Sequence, residues 1–404
     1  MPCENLNVLY ITPFFVPVIG GVESVVYETS IGLVKNGHKP TVLTSSVANR
    51  PEREHLQGVE VIRTNLLDVP ETGAIDANLF RPKNVSKFFE QIISELDVDV
   101  IHLHNYQMKQ YAMFLISFLQ GANTRQPPMI DTIHNTTEDP FAHYLLSYLP
   151  FSKVVALTSK SAFDLIKGGV PTSKIEVIPN TLDTDKFANA DGSNIRKMLG
   201  VDDDEHIILF PSRLVGREKN SFKYEDGKGL QILLRALPLV KREIRNVKLL
   251  LIGNDPVYPD VVRQIREAIV QTTSTLGAKD SVLFLDRDLP QEQIPSVFAA
   301  SDIVVSLGST ECFGMVFLEG MAAGKPVIGA NSIDNGVPEV VLDGKTGVLV
   351  PANDPWSTAK SIIKILSDKK KAQQMGQAGR KWVKQNFDVD AVLPRLLDLY
   401  GRCI

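Results

Sequence analysis

The sequence predicts an α/β protein of two successive domains, each a parallel β-sheet covered by helices. The chain has 404 residues, more than one hydrophobic core usually spans, so two domains of roughly 200 residues each are expected. Short runs rich in Val, Ile and Leu alternate with helix-length segments, the pattern of strands buried on both faces. That alternation lapses at Pro179 to Ser193, where Pro, Asn, Asp and Gly collect as they would in a hinge.

In the first half the expected strands are Val8 to Ile11, Thr41 to Thr44, Val59 to Ile62, Val100 to Leu103, Met129 to Ile133, Val154 to Thr158 and Glu176 to Ile178. Between the first two, Gly21 to Lys35 carries Val22, Val25, Val26, Leu33 and Val34 on a helical period and stops at Gly37. The second half repeats the scheme at Ile207 to Phe210, Val247 to Ile252, Val282 to Leu285, Ile303 to Ser306, Pro326 to Gly329 and Gly347 to Val350. After Pro355 the pattern is helical only. Its last segment, Asp388 to Tyr400, sets Val392, Leu393, Leu396, Leu397 and Tyr400 on one face, a stripe apolar enough to require a docking site. It is expected to cross back onto the first domain. The expected domains are residues 1–185 with the helix at about 386–404, and residues 186–385.

Bulk properties exclude several classes. Apolar residues make up 44% and charged residues 22%, which rules against disorder. A net charge of −4 supplies no general field for nucleic acid, so no nucleic-acid partner is expected. Cys3, Cys312 and Cys403 are too few and scattered for a disulfide framework or metal cluster. The N-terminus lacks a basic segment followed by a long apolar run, and the cytoplasm is the expected location. The most apolar helix candidate, Tyr111 to Leu119, is half the length that spans a bilayer, so any membrane contact would be peripheral.

The most informative segment is Ser306 to Ala330, SLGSTECFGMVFLEGMAAGKPVIGA, a loop leaving a strand and entering a helix. Such junctions bind ligands because free backbone N–H groups and the positive helix end point into the crevice beyond the strand ends. Gly314 would let the backbone approach a phosphate closely. Glu311 and Glu319, if both helical, stand about 12 Å apart along the axis and roughly 80° around it. Carboxylates so placed cannot share a proton; they can hold hydroxyls at two ends of an elongated ligand, or they can be a capping Glu and a solvated helix face.

Glu311-Cys312-Phe313-Gly314-x-x-x-x-Glu319, followed by Gly324-x-Pro326-Val327-Ile328 and Gly336-x-Pro338-Glu339-Val340-Val341, resembles the signature of the large retaining glycosyltransferase family 4, of GT-B fold. The resemblance runs over nearly the whole chain. It implies two Rossmann-like domains facing across a cleft, with donor-binding residues Glu311, Cys312, Phe313, Gly314, Met315, Val316 and Glu319. The usual Ala after the second Glu is here Gly320, a small-for-small change expected to leave packing intact. The resemblance also implies cationic partners for a diphosphate: Arg213 in PSRL, and Lys228 in Lys228-Gly229-Leu230, with Lys219 as runner-up. The polar stretch from Val215 to Gly227 is longer than the family's usual turn and is expected to act as a loop over the site.

In the first half, the loop Pro13 to Gly21 ends in Gly20-Gly21 at the start of a helix. A glycine pair there permits φ > 0 and close backbone approach, or simply makes a tight turn. The resemblance places this pair beside the diphosphate and acceptor. His134, ending the strand MIDTIH, resembles the family's histidine that hydrogen-bonds the donor sugar near the reacting carbon. The implied catalytic set is thus His134, Glu311, Arg213 and Lys228. His102 and His104, at i and i+2 on a strand, share a face like a metal pair. With no third ligand in sight they are expected to pack and anchor a loop.

No G-x-G-x-x-G follows the first strand and no G-x-x-x-x-G-K-[ST] occurs, so dehydrogenase and P-loop chemistries lose support. Asp286 to Asp288 holds an Asp-x-Asp triplet without the rest of a metal-dependent pattern, so no essential metal or other cofactor is expected. The expected partners are a nucleotide sugar donor, a UDP-sugar by family frequency, and a hydroxyl acceptor that the sequence does not identify. Oligomeric state is not legible. The alternatives are a GT-B epimerase and a nucleotide-sugar-binding protein without transferase activity.

Overall fold

Runs of β-branched residues and leucine bury both faces of a strand, and every apolar run expected as a strand is one, with ends shifted by a few residues. The computed structural model describes residues 5–18, 20–67, 82–106, 126–135, 139–212, 227–252, 259–285 and 289–404. Two compact units result: Met1–Leu182 with Val389–Ile404, and Asp183–Asp388. The chain thus passes from one unit to the other a few residues before the expected boundary, and returns a few residues after it. Part of the expected hinge is helical instead: Thr184–Ala188 and Ser193–Leu199 are helices of the second unit.

In the first unit, β1 (Asn7–Ile11), β2 (Lys39–Ser45), β3 (Arg53–Leu56), β4 (Val59–Thr64), β5 (Val100–His104), β6 (Met129–Ile133), β7 (Phe151–Ala156) and β8 (Ile175–Val177) form one sheet in the order β3-β4-β2-β1-β5-β6-β7-β8. All neighbours are parallel except β3, which pairs antiparallel with β4. This strand, Arg-Glu-His-Leu, was not expected. It is a polar edge with no apolar run, and Arg53 carries ion pairs to Glu60 and Glu95. In the second unit, β9 (His206–Pro211), β10 (Val247–Ile252), β11 (Val282–Leu285), β12 (Ile303–Ser306), β13 (Val327–Asn331) and β14 (Gly347–Pro351) form a wholly parallel sheet in the order β11-β10-β9-β12-β13-β14.

Each order reverses direction once. From β1 the chain builds outward through β2 and returns to β5 on the other side; from β9 it builds through β10 and returns to β12. Ligands of doubly wound sheets bind beyond the strand ends at such switch points. The ends of β1 and β5, and those of β9 and β12, are therefore the places where function is expected.

The chain leaving β1, β9 and β12 next reaches α1 (Gly21–Lys35), α2 (Leu230–Glu243) and α3 (Met315–Ala322), and a further helix, α4 (Val389–Cys403), is the last element. The terminal helix α4 packs on the first unit, burying Val392, Leu393, Leu396, Leu399 and Tyr400, while Leu397 is only partly covered. Gly32 on α1 makes room for it, since a Cβ there would fall 2.6 Å from Val389 Cγ1. The Tyr400 hydroxyl lies 3.1 Å from the Tyr10 hydroxyl and 2.6 Å from His102 Nδ1, all buried. Tyr400→Phe deletes both bonds and strands His102 Nδ1. A loss of about 1–3 kcal/mol is expected, read as a lower chemical-denaturation midpoint, because a buried polar atom left unpaired costs its desolvation.

Candidate active site

The second unit's switch point is built from three loops that meet backbone to backbone. The turn Gly227–Gly229 lies against Leu307–Gly308 at the end of β12: Leu307 N donates to Lys228 O at 2.9 Å. A Cβ on Gly229, whose φ is +75°, would fall 2.5 Å from Leu307 Cβ and 2.6 Å from its carbonyl oxygen; a Cβ on Gly308 would fall 2.6 Å from Gly227 O. Only glycine fits at either place. The third loop follows β13. Its Asn335, buried, donates to Gly308 O (2.8 Å) and Ala330 O (3.0 Å) and accepts from Val337 N (3.0 Å), and Gly336 N donates to Glu311 O (2.8 Å). Asn335 was not singled out in the sequence; its place before Gly336-x-Pro338 was the available signal.

On this platform the Lys228 ammonium donates to the Glu311 carboxylate across 83 residues of sequence. The lysine side chain is 48% exposed and the glutamate 17%, so the pair is presented at a surface. Glu311 stands in the loop before α3, not on the helix, so the helical spacing to Glu319 does not apply. The helix is preceded by Gly314, which has φ +86° and supplies no side-chain cap; Phe317 N bonds Gly314 O at 3.0 Å, and the N–H groups of Met315 and Val316 receive no side-chain cap. A Cβ at Gly314 would also lie 2.5 Å from Phe317 Cδ2. Met315 and Val316 open the helix half-buried; Cys312 and Phe313 are buried beneath it, Phe313 edge-on to Phe387 at 5.7 Å. Glu319 is partly exposed, yet protein surrounds its carboxyl and burial pushes its pKa up to about 7.

Gly320 is more constrained than a small-for-small exchange implies. A Cβ there would lie 2.9 Å from Val327 Cγ1 and 3.0 Å from Val304 Cγ2, because α3 sits tightly on β12 and β13. Gly320→Ala, which helix propensity alone would favour by about 1 kcal/mol, is expected to lower the thermal midpoint, since overpacking a core costs about 1–3 kcal/mol.

In the first unit, Gly20 caps α1 with extended backbone (φ −179°) and Gly21 is its first residue; neither uses the left-handed conformation that glycine permits. His134 follows β6, buried, with its N–H donated to Asn105 Oδ1 at 2.7 Å. Asn105 follows β5 in left-handed conformation (φ 61°) and its own N–H bonds Thr132 O at 3.0 Å, so the two strand ends are laced together. A third histidine does lie near His102 and His104, contrary to expectation: it is His134. Parallel register sets His104 beside Thr132, and His134 is the next residue on that face. The rings stack, His102 on His104 at 4.6 Å and His104 on His134 at 5.0 Å. They are not a metal set. His102 spends Nδ1 on Tyr400 and Nε2 on Thr132 Oγ1 (2.7 Å), and His104 Nδ1 meets His134 Nε2 at 2.7 Å. Burial lowers the pKa of His134 to about 3, and burial followed by repulsion from His134 lowers that of His102 to about 3; burial, then repulsion from His102 and His134, puts His104 well below the ordinary histidine value. All three are neutral at neutral pH.

Arg213, Lys219 and the triplet Asp286 to Asp288 lie outside the described residues, as does the expected loop over the site up to residue 226. Among the described residues, no helix is long and apolar enough to cross a membrane.

Residues 191–382 match the family described as Glycosyl transferases group 1, and residues 19–186 match Glycosyltransferase Family 4. The chain is similar to N-acetyl-alpha-D-glucosaminyl L-malate synthase of Bacillus anthracis, 25% identical over 95% of this chain and 94% of that protein. It is also similar to a GDP-mannose-dependent alpha-(1-6)-phosphatidylinositol monomannoside mannosyltransferase of Mycolicibacterium smegmatis, 32% identical over 57% of this chain and 56% of the relative. Among solved structures, Anabaena HepE in complex with UDP and glucose superposes with a TM-score of 0.74 at 22% identity, covering 98% and 99% of the two chains. The chain belongs to glycosyltransferase family 4: it is a glycosyltransferase, and its two Rossmann-like units have the GT-B fold.

Proposed function

We propose that this enzyme transfers a hexosyl group of glucose, N-acetylglucosamine or mannose type from a nucleotide diphosphate sugar, a UDP-sugar in the first instance, to a hydroxyl acceptor with retention of configuration. The observation that carries the reading is Lys228 paired with Glu311 beside the uncapped start of α3 at a switch point. An ammonium has three N–H donors. One on Glu311 leaves two for a diphosphate, while Glu311 accepts from a sugar hydroxyl and Glu319 from the ribose. Arg213 supplies a second cation, the segment from Cys312 into the first turn of α3 at Val316 its backbone N–H groups, and Gly20-Gly21 close approach of the backbone.

As the C1–O bond breaks, negative charge builds on the departing phosphate, where Lys228, Arg213 and the helix start stabilise it. A phosphate oxygen of the leaving group then takes the acceptor's proton, so attack and departure occur on one face of the sugar. His134, neutral, hydrogen-bonds the sugar near C1. These fixed charges neutralise the phosphates without a metal, so a chelator is expected to leave turnover unchanged.

The named relatives divide between glucosaminyl and mannosyl transfer, and that division sets the test. UDP- and GDP-sugars are ranked by thermal shift, then acceptors, malate and inositol phospholipids included, are screened by release of free nucleotide. Transfer with an α-configured product from an α-linked donor supports the reading. Inverted product removes the same-face mechanism. Tight donor binding with no nucleotide released by any acceptor leaves a sugar-nucleotide-binding protein in its place.

A further inference from the structure

We propose that His104 is a positioning residue for His134, holding the ring by its Nε2 and fixing its proton on Nδ1, so that a ligand meets a neutral N–H donor. The inference rests on the reading of His134 as the histidine that meets the donor sugar. It starts from the one hydrogen bond His104 Nδ1 makes, 2.7 Å to His134 Nε2. Two neutral imidazoles sharing one such bond have two arrangements. If His134 donates from Nε2, His104 must carry its proton on its own Nε2, and that atom is buried with no partner. An orphaned buried N–H is among the rarest groups in folded proteins. If His104 donates from Nδ1, its Nε2 is bare, no N–H is stranded, and the proton of His134 must sit on Nδ1.

The surroundings favour the second arrangement. His104 lines a cavity of about 30 Å³ whose wall mixes Val25, Val155, Leu393 and Leu396 with the polar side chains of Thr29 and Asn180, and its Nε2 is hydrogen-bonded to none of them. The His104 ring stacks on His102, whose two nitrogens are held by Tyr400 and Thr132, and a turned-over His104 ring would put a carbon where Nδ1 meets His134. The His134 backbone is pinned by Asn105. Its Nδ1 makes no hydrogen bond with a described residue and is the nitrogen left for a ligand, and a donor there selects an oxygen lone pair such as a sugar hydroxyl or ring oxygen.

The test has two parts. Long-range proton–nitrogen correlation of the full chain labelled with ¹⁵N-histidine, assigned with His134→Asn, is expected to show His134 as the Nδ1–H tautomer at neutral pH without any ligand. The Nε2–H tautomer would overturn the inference whatever the enzyme does. Kinetically, His104→Asn keeps an amide N–H near the Nδ1 position and is expected to hold kcat within about threefold, the worth of one neutral hydrogen bond. His104→Leu removes the donor and is expected to lower kcat by up to about 100-fold with the donor KM little changed, as loss of orientation does. In a His134→Ala background His104→Leu is expected to add nothing. Equal losses in His104→Asn and His104→Leu, or additive losses with His134→Ala, would count against positioning. An Nδ1–H tautomer in a chain with no transfer to any acceptor would instead remove the transferase reading and leave the hydrogen-bond assignment standing.

Discussion

Lys228→Ala is expected to lower kcat by roughly 100- to 1,000-fold, about 2.7–4 kcal/mol of transition-state stabilisation, the range seen when one preorganised donor to a developing oxyanion is removed. The loss belongs to chemistry and not to folding. The Lys228–Glu311 pair is half-exposed on the lysine side and worth at most about 1 kcal/mol to stability, so the thermal midpoint is expected to move little. Glu311→Ala is expected to fall as steeply, because it removes the sugar contact and frees the ammonium from the position that serves the phosphate. The double variant is expected to lose less than the product of the single losses, as partners acting as a unit do. Single-turnover rates at saturating donor check the claim. A wild-type rate in Lys228→Ala would transfer the phosphate role to Lys219.

That pairing shows where sequence reasoning reaches and stops. Lys228 and Glu311 were legible one at a time, from a glycine turn opening a helix and from the motif around Gly314. Their meeting across 83 residues was not, because it depends on Gly229 and Gly308 letting two loops touch through their backbones. The strands were legible because runs such as VKLLLI and IVVS bury nearly every side chain, a demand local composition expresses. β3 was not, since an edge strand with Arg53 and His55 turned to solvent needs no apolar run. The i, i+2 spacing placed His102 and His104 on one face, but the register of β5 on β6 brings His134 to them, and parallel register is fixed by packing that no single strand records. Gly320 was underread for the same reason: the space over Val304 and Val327 is a property of the assembled sheet.

Glu319→Gln is expected to stabilise the ligand-free protein at pH 8 while weakening donor binding. The Glu319 carboxyl has its pKa raised by burial to about 7, from an ordinary value of 4.5. For an acid so shifted, the folded chain holds its proton more tightly than the unfolded chain. Stability linked to this group is therefore complete below about pH 4.5, declines between 4.5 and 7 as the unfolded state alone releases its proton, and is lost above 7. The full loss is at most roughly 3 kcal/mol, at about 1.36 kcal/mol per pH unit. Glutamine cannot ionise, so the variant is expected to match the wild type near pH 4.5 and exceed its unfolding free energy at pH 8. Donor affinity is expected to change oppositely, by about 1–3 kcal/mol, because an ionised carboxylate accepting a ribose hydroxyl is exchanged for a neutral amide. Binding that draws Glu319 into its ionised form must also release protons near pH 7, which calorimetry in buffers of different ionisation enthalpy measures directly. Equal stability of variant and wild type across pH 4.5–8, with unaltered donor affinity, would place Glu319 on an ordinary helix face with no part in the site.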